Sequence, residues 1–501
     1  MRRKRRGLAT SLLALSLTLT ACTSGGGKEA GSAFGSLDRE DKGTLKVGYF
    51  NEEAFYMQYG NAFQAMFPNV ELEVVSTEEA MSADDPVAAM ESFIEEQQPD
   101  AVLLTEEQYA ELAKDGKLYD LDAAVKQDKF DLDSFLPSVI DLLKARGGGK
   151  LYGLSPSFSS QALYYNKDLF DKYGVPYPTD GMSWEEVLQL AARFPAKKGS
   201  DNVSLDKVGA DDALYGLSLP MQTRDSFELI REIGEAKGLL YADGEAKTVS
   251  FDTPEWKAVV QSVVDGYKSG SISTVSSQGG GGQGGLMIRG MGGGKSTFSF
   301  GPATMRFMSG QAAMTVDGPM LMNMMGIGGV KIATATATKA AGSSGGAVKA
   351  PGQDVNWDLV TIPTDPSQEG ATGSMSLDTI FAINASSENL PAAWEFLKYA
   401  NGEQLAKTSS KSSPALSART AYKNEADGKN IDAFYNEKIN EQALLQEDSL
   451  PAGFAQSFGN MAAGQIDQAV KGTQTVDEAL KAIQSQGQDL LTKALADEAA
   501  E

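Results

Sequence analysis

Along the first hundred residues the spacing of apolar positions changes from one stretch to the next. Lys46-Val47-Gly48-Tyr49-Phe50 reads as a first strand. Phe55, Tyr59, Phe63 and Phe67 then recur every four residues, which is one face of a helix. Pro68-Asn69 stops that helix. Val70, Leu72 and Val74 alternate with Glu71 and Glu73, the pattern of a half-buried second strand. Pro99-Asp100 leads into Ala101-Val102-Leu103-Leu104, expected as a short buried strand. Glu106 to Asp115 is expected to be helical, with Gly116 ending it. This β-α-β-α order argues for an α/β fold, a sheet with helices on its faces.

Later helices carry their own start signals. Ser183-Trp184-Glu185-Glu186 and Thr475-Val476-Asp477-Glu478 are capping boxes, and Thr253 precedes a proline at the first helical position. Pro391 opens a helix with Trp394, Phe396 and Leu397, and Gly402 is its expected terminator. Trp184 and Trp394 sit at helical spacing beside Leu188 and Leu397 and read as core. Gly279–Gly294 holds ten glycines in sixteen residues, and Ala333–Ala350 is low in complexity. Both read as insertions rather than core.

Composition then removes whole classes of chemistry. With no His and one Cys there is no Ser-His-Asp triad, no HExxH zinc site, no cysteine-built zinc site and no internal disulfide. A net charge of −23 argues against nucleic acid as a partner, because phosphate contacts need clustered Lys and Arg. At roughly 100–200 residues per domain, 501 residues allow two to four domains.

The N-terminus locates the protein. Arg2, Arg3, Lys4, Arg5 and Arg6 precede the apolar stretch Gly7–Thr20, which is shorter than the about 20 residues a bilayer needs. Leu19-Thr20-Ala21-Cys22 looks like the lipobox of a bacterial lipoprotein, with the only thiol of the chain where that motif needs it. Residues 1–21 are therefore expected to be a signal peptide, and Cys22 the lipidated N-terminus. Losing five basic residues would take the charge from −23 to −28. Acyl chains would hold the protein on the outer face of the cell membrane without a spanning helix. Residues 22–43, rich in Gly and Ser at first, read as a flexible tether.

Three candidate sites are weaker than their bland readings. Gly290–Thr297 resembles a phosphate loop, but the Walker spacing puts Arg289 where the first Gly belongs. Nine of the 18 Met lie between Met287 and Met325, which suits an adaptable packing surface better than copper without His or Cys. Asp128, Asp131 and Asp133 lack the Gly and the closing Glu of a calcium loop. No metal and no cofactor is expected.

From residue 44 onward a resemblance emerges. Leu151-Tyr152-Gly153-Leu154-Ser155-Pro156, then Ala162–Phe170 (ALYYNKDLF), then Gly174-Val175-Pro176-Tyr177-Pro178 and Trp184-Glu185-Glu186, resemble the maltose-type extracellular solute-binding proteins of ABC importers. Pro99-Asp100, Gly116-Lys117-Leu118, Gln311–Pro319 (QAAMTVDGP), Trp357-Asp358, Ile362-Pro363, Ala393–Leu397 and Gln474–Leu480 follow in that family's order. The resemblance covers nearly all of residues 44–495 outside the Gly-rich insertions.

The resemblance implies a two-lobe periplasmic-binding-protein fold of type II, with three chain crossings near Phe158, Leu377–Ile380 and Ser417. Lobe 1 is expected over 44–157 and 378–415, and lobe 2 over 158–377 and 416–501, with Gly-rich insertions at 277–297 and 327–352. Ligand would lie in the cleft between lobes. Carried over residue by residue, the shell would draw on Asn51 and Glu53, Thr105 and Glu106, Ser160, Gln161 and Tyr164, Asp317 and Met320, and Phe458 and Asn460. Met320 departs from the family, which places a sugar-stacking Trp there; Tyr56, Tyr164 or Phe458 would have to supply a ring instead. The implied function is capture of a solute, a mono- or oligosaccharide, by a monomer that delivers it to an ABC permease and catalyses nothing. Two alternatives stay open: a ligand-sensing partner of a membrane kinase, and a carboxylate-dependent glycosidase.

Overall fold

A computed structural model describes residues 34–35, 37–197, 213–219, 225–273, 306–325, 355–368 and, apart from short gaps, 371–498. The leader, Cys22 and both Gly-rich insertions lie outside the described residues.

The first sheet has the order β2-β1-β3-β13-β4, with β1 Gly43–Tyr49, β2 Val70–Ser76, β3 Ala101–Leu104, β4 Gly153–Leu154 and β13 Ile380–Ile383. β1 runs parallel to β2 and β3, whereas β13 is antiparallel to β3 and β4. Leu45, Val47 and Tyr49 are buried, and β2, at the edge, is only half covered, which is why its sequence alternates. Between β1 and β2, Phe55, Tyr59 and Phe63 face the core as their spacing predicts. That helix is not uniform: Glu52–Phe55 and Asn61–Met66 flank a π-helical turn, Tyr56–Gly60. A Cβ at Gly60 would stand 2.8 Å from the Tyr56 ring and 2.9 Å from that of Phe55, so the turn needs glycine there.

The second sheet has the order β11-β6-β10-β7, with β6 Ala162–Asn166, β7 Tyr215–Ser218, β10 Ala312–Asp317 and β11 Trp357–Thr361. β6 is antiparallel to both neighbours; β10 and β7 are parallel. Every residue of β6 is buried, and alternate side chains serve different cores. Leu163 and Tyr165 join the core built with the helices Trp184–Ala191, Pro254–Ser269, Phe454–Lys471 and Val476–Glu498. Ala162 and Tyr164 join the core that continues into the first sheet. A small hairpin, β8 Ala242–Asp243 with β9 Thr248–Val249, completes this lobe. Both capping boxes and the Thr253 cap form as expected, and Trp184 and Trp394 are buried. Met308, Met314, Met322, Met324 and Met325 are buried too, so this part of the Met-rich stretch serves packing.

Three segments join the lobes. β5 Ser157–Phe158 pairs with β14 Leu416–Ser417, and Ser159 and Ser376 exchange backbone hydrogen bonds of 2.8 and 3.0 Å. Beside them β12 Ala371–Thr372 runs parallel to β15 Lys438–Ile439.

Two sequence expectations need correction here. The tether does not run free to residue 43. Phe34 is only 4% exposed, its ring 4.7 Å from that of Tyr119 and 5.6 Å from that of Trp394. The third return to lobe 2 also comes later than Ser417. Leu136 donates to the Ala418 carbonyl, Thr420 to that of Ser134, and buried Arg419 to that of Asn401, with its guanidinium 4.3 Å over the Phe135 ring. Residues 416–424 thus stay on lobe 1, and the chain reaches the second sheet at Lys429 and Asn430, which bond Trp357 and Asp358. The sequence gives no sign that an Arg–aromatic contact holds the segment after Ser417 back.

Candidate ligand-binding cleft

In lobe 1 the chain leaves β1 for β2 on one side and then crosses to β3 on the other. Loops at the carboxyl ends of β1 and β3 therefore diverge, which is the switch point where open α/β sheets bind ligands. Phe50 and Asn51 occupy the first loop. Asn51 Oδ1 accepts the Ala54 N–H at 2.8 Å, capping its helix, and Glu53 is exposed in the first turn. Phe50 is 45% exposed, its ring outside the cluster that Tyr49, Phe55 and Tyr59 form beneath it. Burial pushes the Tyr49 phenol up to about 12, so it stays a neutral hydrogen-bond donor, here to Gln58 at 2.8 Å.

Thr105 follows β3 and forms a capping box with Gln108. Glu106 is turned away from the ligand role expected of it. One oxygen accepts the Leu377 N–H at 2.6 Å, and the other lies 3.4 Å from Arg146 Nε. Thr77, just past β2, is fully buried and its Oγ1 bonds nothing among the described residues.

In lobe 2 the register brings one edge together. Asp317 at the end of β10 and Thr361 at the end of β11 both stand opposite Ala162 at the start of β6. Ser160, Gln161, Asp317 and Met320 therefore gather where the chain enters this lobe. Asp317 is buried and accepts the Gly318 N–H at 2.8 Å. The Tyr164 hydroxyl donates to the Gly318 carbonyl at 2.8 Å; burial first, then the Asp317 charge, hold that phenol neutral. Met320 is half-buried against the first core.

Two expected stacking rings are committed elsewhere. Tyr164 is enclosed by Phe307, Trp357 and Phe434, and Phe458 by Phe227, Tyr241, Phe251 and Phe454. Both are fully buried, and neither has a face for a ligand. Tyr56 lies over β2, its hydroxyl 3.5 Å from the Leu72 carbonyl. Asn460 is exposed on the helix Phe454–Lys471, two residues beyond the core position.

Two glutamates escaped sequence reasoning. Glu437 is buried, and its carboxylate receives Ser160 Oγ at 2.7 Å, the Gln161 N–H at 3.4 Å and Ser374 Oγ. Glu232 Oε1 is buried and has no hydrogen-bond partner among the described residues, and desolvation raises its carboxyl to about 8. Neither had a signal, being one acid among 67 with no motif around it. Among the described residues no group of His, Cys, Asp or Glu could hold a metal ion. No described helix is long and apolar enough to cross a membrane.

Comparison with known proteins places this geometry. A family described as bacterial extracellular solute-binding protein matches residues 58–434. The sugar-binding protein MalE of Xanthomonas citri superposes with a TM-score of 0.60 at 17% identity, over 91% of this chain and 100% of that one. A sugar transporter protein of Rhizobium etli, in an open conformation, gives 0.58 at 19%, over 89% and 99%. A substrate-binding protein of Listeria monocytogenes, in complex with cycloalternan, gives 0.56 at 20%, over 91% and 100%. A binding protein of Brucella abortus is 41% identical over 71 residues, a match spanning 14% of this chain and 15% of that relative's length.

Proposed function

From a chain that belongs to the bacterial extracellular solute-binding proteins, two lobes joined by three crossings, we propose a receptor that captures a mono- or oligosaccharide in its cleft. It works outside the cytoplasmic membrane, is held there as a monomer by lipid on Cys22, and delivers its ligand to an ABC permease. It binds and releases the ligand chemically unchanged. Lobe 1 comprises 44–157 and 378–415 with Phe34 and the 416–424 segment added; lobe 2 comprises 158–377 and the chain from about Lys429 on.

The observation that carries the reading is the convergence of the β1 and β3 loops with the β6, β10 and β11 edge on the three crossings. Polar groups at these chain ends can meet sugar hydroxyls from both lobes, and closure then follows from contacts with both. Sugar is favoured because the Xanthomonas, Rhizobium and Listeria proteins are described as sugar-binding, sugar-transporting or cycloalternan-bound. The ligand shell narrows to Phe50, Asn51, Glu53, Thr105, Asp317 and Met320. Phe50, exposed at the switch point, offers the ring face that Met320, Tyr164 and Phe458 do not.

Thermal unfolding of the full chain carrying Cys22→Ser, screened against sugars, peptides and cations, tests this. One sugar class should stabilise the protein, by about 2.7 kcal/mol at a hundredfold excess over Kd. Phe50→Ala should weaken that sugar's binding by about tenfold, the value of one lost stacking contact of roughly 1.4 kcal/mol, and leave the ligand-free Tm unchanged. Stabilisation by a peptide or cation alone would keep the family and overturn the sugar. Conversion of the sugar to product would overturn the binding-only reading.

A further inference from the structure

We propose that Glu437 and Glu106 are positioning residues that set the resting angle between the lobes, by holding the second crossing segment at its two ends. The inference rests on the reading of this protein as a two-lobe receptor that closes on its ligand, and adds what holds it before ligand arrives.

The second crossing runs from Ser374 to Leu377, with Ser376 paired to Ser159 of the first crossing. At one end Ser374 Oγ donates to Glu437 Oε2. At the other the Leu377 N–H donates to Glu106 Oε1 at 2.6 Å. Glu106 begins a lobe 1 helix that Thr105 caps, and its second oxygen lies 3.4 Å from Arg146 Nε on the helix Pro137–Arg146. Glu437 stands where the third crossing has already joined lobe 2. Its other oxygen receives Ser160 Oγ at 2.7 Å and the Gln161 N–H at 3.4 Å, both from the first crossing. Its backbone carbonyl accepts Ser138 Oγ at 2.8 Å, from that same lobe 1 helix.

One buried carboxylate thus ties the first crossing to the second, from a residue just past the third. Hydrogen bonds to a charged acceptor are roughly twice as strong as neutral ones. A hinge works through a few residues that absorb the change in backbone angle. Fixing Ser374 and Leu377 at both ends confines that change to the two residues between them and narrows the range of lobe angles. Ser160, Gln161 and Glu106, expected from the sequence to face ligand, spend these polar atoms on the hinge instead.

The test measures the ligand-free distance between lobes. Spin labels go at Glu96→Cys in lobe 1 and Lys481→Cys in lobe 2, both exposed, in the full chain carrying Cys22→Ser. The parent should give a narrow distance distribution. Glu437→Gln and Ser374→Ala should each widen it at least about twofold at near-parent Tm, and Glu106→Gln should shift its centre. Ser374→Ala removes one hydroxyl and decides the matter should Glu437→Gln fail to fold. Unchanged distributions in folded Ser374→Ala and Glu106→Gln proteins would overturn the proposal. No arm contains ligand, so that failure leaves the sugar reading standing, and failure of every sugar to bind leaves the hinge result standing.

Discussion

Glu232 carries a carboxyl oxygen closed to water on the helix Ser226–Ala236, and burial is the main reason its proton is held up to about pH 8. Arg231 works against that shift, whereas Glu235, Glu437 and Glu228 add to it. The sign follows from linkage. An unfolded Glu loses its proton near 4.5, and the folded one keeps it to about 8. Between those values the unfolded chain ionises first, and each unit of rising pH weakens folding by up to about 1.4 kcal/mol. Glu232→Gln has no proton to lose. Its Tm should therefore match the parent near pH 4.5 and exceed it by a margin that grows up to about pH 8. A margin independent of pH would show that Glu232 is ionised in the folded protein. Single residues were also where sequence reasoning was weakest. The rings of Phe458 and Tyr164 look the same in the sequence as that of Phe50, and only packing separates the two enclosed rings from the open one.

Elements were far more legible, because each carries its own periodicity or cap. The Phe55–Phe63 face, the alternation in β2, the buried run of β3 and the Ser183, Thr253 and Thr475 caps all form where their patterns predict. Gly116 ends its helix at φ +70°, with the Lys117 N–H returning to the Leu112 carbonyl at 2.9 Å. The π-helical turn at Tyr56–Gly60 was not legible, since the crowding of Gly60 by the Tyr56 and Phe55 rings leaves no periodicity or cap signal in the sequence. Composition misled at one place. The Gly and Ser that make residues 22–43 look free also surround Phe34, which packs on Trp394. Phe34→Ala removes the buried ring by which the start of this segment packs on Tyr119 and Trp394. Limited proteolysis should then cut within residues 34–42 and spare that segment in the parent, while β1 and ligand binding persist. Equal cutting of both proteins would show that Phe34 does not hold the segment.

At the scale of the whole molecule, the two-lobe architecture could be read because motifs separated by hundreds of residues stand in a family order. The hinge could not, because its bonds join Ser160, Ser374 and Glu437 from segments far apart in the chain, with no pattern at any of them. The same separation decides what the Gly-rich stretch can be removed without. On its N-terminal flank Ile272 pairs with Leu217, and Ser273 donates its N–H to the Leu217 carbonyl at 2.9 Å. On its C-terminal flank Phe307 and Met308 are buried, and the Gln311 N–H reaches the Arg306 carbonyl at 2.7 Å before β10 begins. Both flanks are therefore fixed by contacts that do not involve Gly279–Gly294. Deleting those sixteen residues leaves sixteen between Ser273 and Arg306, and halving a connection costs no closure entropy but recovers about 0.6 kcal/mol. The deletion should unfold cooperatively with a Tm within about 2 °C of the parent, since the change is a fraction of a kcal/mol in a chain of this size. A broad transition or an insoluble product would mean instead that the segment supplies contacts on which the β7–β10 pairing depends.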